Sequence, residues 1–161
     1  VYAGGTQWMN AGMGVIHSER PPADIHEIGG RQELIQLWVN TPAKYKMDQP
    51  SYQPLTADDT PKINTADGLV QINVIAGKLG DTTGKIHTLS DVNTFTATFQ
   101  KGGKYFFQIP ASHNAFIYVL QGKVQVTGDS EVEGKYVAVF QNDGEGFELE
   151  ALEDSTLFIG T

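Results

Sequence analysis

The 161-residue chain contains no cysteine. That excludes a disulfide framework, a thiol nucleophile and a thiolate metal site. Any metal must therefore use histidine, carboxylate or other oxygen ligands, and only four histidines are present: His17, His26, His87 and His113. No run of 18 apolar residues occurs, so no membrane-spanning helix is expected. The first residues carry no basic-then-apolar export pattern, and a cytoplasmic protein is the expectation. Charged residues make up only 19% of the chain against 40% hydrophobic ones, which is enough apolar material to bury a core and argues against disorder. The 18 glycines and 7 prolines are spread along the length and favour many short turns over long helices.

Basic excess is lacking too, and the charge is unevenly placed. Residues 1–128 hold ten Lys or Arg against ten Asp or Glu, whereas residues 129–161 hold Lys135 against nine acids. The whole net charge of −8 therefore arises in the last fifth of the chain. A phosphate backbone is repelled by such a segment, so direct nucleic-acid binding is disfavoured. The acids alternate with apolar residues, as on the solvated outer face of strands.

Period-two patterns dominate what remains. In Gly146-Phe147-Glu148-Leu149-Glu150-Ala151 the apolar side chains point one way and the glutamates the other, which predicts a half-buried strand. Asn93 to Phe99 alternates likewise, with β-branched threonines that suit a pleated surface. Short apolar runs at 69–76, 115–120 and 136–140 are bounded by turn residues. Tyr118 to Val126 reads as two strands joined by a tight turn at Gln121-Gly122. Seven or eight strands between residue 69 and Phe158 predict an antiparallel barrel or jelly roll. Earlier in the chain, strands are expected at 13–19 and 33–39. Prolines at 42, 50, 54 and 61 predict an extended linker with at most a short helix. The expected division is 1–65 and 66–161.

His17 and Glu19 stand at i and i+2. On a strand both side chains leave the same face, giving one imidazole and one carboxylate side by side, half of a site for a hard-to-borderline metal. Alone the pattern is common, and its ordinary reading is a polar strand end facing solvent. His113 precedes an apolar run and is expected to cap a strand or bond a turn carbonyl. His87 follows a Gly-Lys turn and His26 lies among polar loop residues; both are expected to face solvent. Ser18 adjoins His17, but adjacent strand residues face opposite sides and no nucleophile elbow is present, so a serine hydrolase is not supported. Gly29-Gly30 and Gly102-Gly103 precede strands, not helices, which removes a phosphate-cradling loop.

The run from Gly5-Thr6-Gln7-Trp8-Met9-Asn10 through Ala11-Gly12-Met13-Gly14-Val15-Ile16 to His17-Ser18-Glu19 resembles the second metal motif of the pirin family, a branch of the cupin superfamily. Leu37 to Met47 with Pro50, Tyr52 and Gln53 resembles the family's inter-barrel segment. Val74-Ile75-Ala76-Gly77 and Asn114 to Gly122 resemble its C-terminal barrel.

The resemblance implies an all-β bicupin: a near-complete C-terminal jelly-roll barrel and part of an N-terminal one. It also implies one divalent metal in the first barrel, Fe foremost, with Mn, Ni, Cu or Zn as alternatives. Its ligands would be a His-x-His pair and a later His-x-Glu pair. The later pair maps onto His17 and Glu19, and the earlier one has no counterpart here. A fragment or shortened relative is expected, with weakly bound or absent metal. By the same resemblance, the full-length activity is of the quercetin 2,3-dioxygenase type on a flavonol-like molecule. Glu19 would be both ligand and base for the substrate hydroxyl. The alternative is a non-catalytic, metal-dependent regulatory module that meets a protein partner. An incomplete first barrel leaves strand edges and apolar surface uncovered, so a homo-oligomer or strand-exchanged dimer is expected.

Overall fold

The structure, a computed structural model, describes residues 2–128 and 130–161. The chain divides into two compact units, 1–59 and 60–161. Among the described residues no helix is long and apolar enough to cross a membrane.

In the first unit, β1 (Thr6–Asn10) is followed by a six-residue helix α1 (Ala23–Ile28), a 3₁₀ turn at Ala43–Tyr45 and β2 (Ser51–Leu55). β1 and β2 pair antiparallel, with Thr6 opposite Leu55 and Asn10 opposite Ser51. The proline-rich stretch thus contains a strand that was not expected. Pro54 is tolerated because β2 has a single sheet neighbour among the described residues, so the missing N–H removes no central ladder bond. The strands expected at 13–19 and 33–39 are not formed: neither segment has a ladder partner among the described residues, and alternation without a partner makes no sheet. His26 lies on α1 instead of in a loop, and it is exposed there as expected.

The second unit carries β3 (Lys62–Asn64), β4 (Val70–Ala76), β5 (Lys78–Leu79), β6 (Thr82–Thr83), β7 (Thr94–Phe99), β8 (Lys104–Gln108), β9 (Phe116–Gln121), β10 (Lys123–Val126), β11 (Ser130–Glu133), β12 (Val137–Val139), β13 (Gly146–Ala151) and β14 (Ser155–Gly160). They form a six-stranded sheet in the order β12-β9-β14-β7-β4-β3 and a four-stranded sheet in the order β11-β10-β13-β8, while β5 and β6 pair separately. Every strand-to-strand pairing is antiparallel.

Inward positions alternate as the sequence pattern requires. Val70, Ile72 and Val74 of β4, Phe95, Ala97 and Phe99 of β7, and Phe147, Leu149 and Ala151 of β13 all enter one hydrophobic core. Phe107 sits at its centre, fully buried, with ring centroids 6.5 Å from Phe95, 5.3 Å from Phe147 and 4.9 Å from Tyr105. The outer face of the smaller sheet bears the acids. Lys123 pairs with Glu131 and lies 3.4 Å from Glu133, and Lys104 lies 2.7 Å from Glu150. Hydrogen bonds to Glu131 and to Glu150 hold the two ammonium groups above the ordinary lysine range.

The turn expected at Gln121-Gly122 joins β9 to β10, but the two strands do not pair as a hairpin: β9 belongs to the larger sheet and β10 to the smaller. Gly122 turns the chain from one sheet to the other at φ 87°, a region that favours glycine. A Cβ there would lie 2.3 Å from the Asp154 carbonyl oxygen and from Ser155 Oγ. Gly122→Ala is therefore expected to lower stability by about 2 kcal/mol in urea denaturation, from strain and overpacking together.

The turn into β4 has its own electrostatic anchor. Asp67 Oδ1 accepts from Thr65 Oγ1 at 2.5 Å and from Leu69 N–H at 3.0 Å, which lowers its pKa from the ordinary 3.8. Because the folded value is depressed, this contribution is present above the unfolded pKa and is lost as pH falls through the folded one. A carboxyl carbon NMR titration should place the Asp67 midpoint below 3.8, and Thr65→Val should move it upward.

Candidate functional site

The segment bearing His17 and Glu19 is anchored at its entry. Met13 N–H donates to the Asp48 carbonyl at 3.0 Å and Gly14 N–H to the Ala11 carbonyl at 2.9 Å. Gly12 makes this approach at φ 51°, where a Cβ would stand 2.1 Å from the Asp48 oxygen. The same turn is closed on the other side by Asp48 N–H bonding the Tyr45 carbonyl. Beyond it, His17, Ser18 and Glu19 are exposed and outside any strand. The same-face argument for His17 and Glu19 thus has no ladder to enforce it within this chain.

The two side chains fit a metal in kind: an imidazole nitrogen and a carboxylate oxygen suit borderline and hard divalent ions. They do not fit in number. Among the described residues no three His, Asp or Glu side chains converge on one point, and two donors fall short of a closed coordination shell.

A second constellation went unnoticed in the sequence. Asn93 Oδ1 accepts from Lys78 N–H at 2.8 Å, which fixes the orientation of its amide. Its Nδ2 donates to Thr161 Oγ1 at 2.8 Å and faces His113 Nδ1 at 3.3 Å. Thr161 Oγ1 lies 2.9 Å from the same Nδ1, and Nε2 lies 3.5 Å from Asp91 Oδ2. With an amide donor pointing at Nδ1, that nitrogen is the acceptor and Nε2 carries the proton toward Asp91. The His113 side chain is only 6% exposed. It is thus a buried strut between side chains and not the turn cap that was expected. His87 is exposed.

The two-sheet antiparallel jelly roll of residues 60–161 defines a cupin-class protein. Comparison with known proteins narrows this. The family described as Pirin matches residues 1–39, and that described as Pirin C-terminal cupin domain matches residues 94–160. A Pseudomonas aeruginosa protein named "Putative quercetin 2,3-dioxygenase" is 34% identical over 156 residues, covering 97% of this chain and 54% of its own length. The crystal structure of quercetin 2,3-dioxygenase from Acinetobacter baumannii matches with a TM-score of 0.93 and 37% identity, over 98% of this chain and 55% of that one. A bacterial pirin from Escherichia coli, solved in complex with nickel(II), has the same fold at a TM-score of 0.53 and 17% identity, over 71% of this chain and 44% of its own. The chain belongs to the pirin family. It spans about half the length of the curated relatives it matches.

Proposed function

We propose that this chain is part of a metal-dependent dioxygenase of the quercetinase type, acting on a flavonol-like substrate. The observation that carries the reading is the 37% identity with the Acinetobacter baumannii quercetin 2,3-dioxygenase over 98% of the chain. In this reading His17 and Glu19 are two of the ligands of a divalent metal, Fe before Mn, Ni, Cu or Zn. The remaining donors come from outside the described residues. The Glu19 carboxylate also accepts the proton of the flavonol hydroxyl, a role that its exposed position leaves open to a small molecule.

Oxygen uptake with quercetin by the complete gene product tests the proposal. His17→Ala is expected to abolish turnover, and Glu19→Gln to lower it by at least about a hundredfold, the usual range for losing a general base. Unchanged rates in both variants overturn the assignment.

The exposed side chains of Ile16, Leu34, Leu37 and Trp38 support a further part of the reading, that the isolated 161-residue chain self-associates. Light scattering after size exclusion should give a dimer or larger species, and a monomer across the concentration range overturns it. The carboxylates of Glu131, Glu133, Glu148 and Glu150 outnumber Lys104 and Lys123 on the outer face of the small sheet. That surplus favours the second reading, a regulatory module that meets a basic protein partner. Partner binding that persists after chelation and in His17→Ala distinguishes it from the enzyme.

A further inference from the structure

The outer face of the six-stranded sheet carries a row of side chains with no charge. The strand registers place Asn64 opposite Gln71, Gln71 opposite Thr98, Thr98 opposite Thr156 and Thr156 opposite Gln121. Five adjacent strands therefore each contribute one amide or hydroxyl, and at ordinary strand spacing the row is about 19 Å long. Gln100 lies beside it, and together these side chains line a shallow surface groove. Among the described residues Asp154 is the one charged residue lining the groove, and its Oδ1 already accepts from Lys101 N–H at 2.8 Å. At one end Gln71 Nε2 donates to Asn64 Oδ1 at 2.9 Å, which orients both amides and leaves a carbonyl of one and an NH₂ of the other pointing away from the pair.

The chemistry of this lining restricts its ligand. Among the described residues no Lys, Arg or His lines the groove, so the lining offers nothing to neutralise a phosphate or a carboxylate. Phe99 borders it but is 2% exposed, so no open aromatic face awaits a flat apolar molecule. What remains is a line of groups that both donate and accept, matched to a molecule with many neutral hydroxyls.

We propose that this groove binds a neutral, polyhydroxylated ligand of the saccharide class, extended along the amide and hydroxyl row. The site is independent of the dioxygenase reading, since it lies wholly within residues 60–161. The lining is open and has few apolar contacts, so affinity is in the millimolar range, where hydrogen bonds exchanged against water contribute little net energy each.

The test is a titration of the ¹⁵N-labelled chain with maltose, cellobiose, xylobiose and lactose, followed through side-chain amide resonances. At least one disaccharide should shift the amides of Asn64, Gln71, Gln100 and Gln121 saturably. The double variant Gln71→Ala with Thr156→Val should weaken that binding at least about tenfold while the backbone spectrum stays dispersed. Gln121→Ala gives an independent check should the double variant lose its fold. Absence of a saturable shift with all four sugars overturns the proposal. So do shifts that map elsewhere, or that survive loss of these side chains.

Discussion

Phe107→Ala is expected to lower the stability of the jelly roll by about 3–5 kcal/mol, the range for a large aromatic removed from a packed core. The ring is fully buried and bridges the two sheets: it belongs to β8 of the smaller sheet and lies against Phe95 on β7 of the larger. It also stacks on Phe147, which in turn stacks on Phe140 at 4.0 Å, so its loss opens a cavity at the centre of a connected aromatic group. Neighbouring rings held by β-sheet backbone cannot collapse fully into that space. Urea denaturation followed by far-UV ellipticity should show the midpoint falling with little change in slope. Both tryptophans, Trp8 and Trp38, belong to the 1–59 unit, so their fluorescence reports that unit separately. A loss below 1 kcal/mol would mean that the core is not packed through this ring.

Asn93→Ala is expected to cost about 3 kcal/mol. One buried amide here bonds three segments distant in sequence: Lys78 at the start of β5, His113 ahead of β9 and Thr161 after β14. Its backbone adds two more bonds to Thr161, donating to the Thr161 carbonyl and accepting from its N–H, both at 2.9 Å. Alanine retains the backbone pair but leaves the Lys78 N–H and the Thr161 hydroxyl without their amide partner. It also removes the donor that holds the imidazole in its tautomer. Thr161→Val, which removes only a hydroxyl, should cost about 1 kcal/mol. Differential scanning calorimetry of the two variants should rank them in that order, and equal effects would show that the amide hub does not organise the site. A ring-nitrogen NMR spectrum of His113 provides the finer check, with Nε2 protonated in the parent chain.

Individual residues show how far the pattern carried. Phe147, Leu149 and Ala151 were placed inside a strand by alternation alone, and they are there, because a period of two is the direct signature of one buried face. The strand at 94–99 follows for the same reason, and those at 70–76 and 116–121 were marked by short apolar runs bounded by turn residues. The turn at Gln121-Gly122 was legible as a turn, but not as the crossing between sheets. Hairpin and sheet-to-sheet corner use the same glycine, and the difference lies in Asp154 and Ser155, distant in sequence and packed against it. At the candidate site, His17 and Glu19 stood out because of their resemblance to a motif. The His113, Asn93 and Thr161 cluster did not, since its members are separated by 20, 48 and 68 positions and no local pattern links them.

Membership of the pirin family and the antiparallel β character were determined by the amino-acid order alone, since motif identity and hydrophobic period are local properties of a chain. Which strands share a sheet, where the acids gather against Lys104 and Lys123, and which histidine is buried were decided only by the folded chain. Each depends on side chains brought together by long-range strand pairing, and a linear pattern carries no record of distance in space.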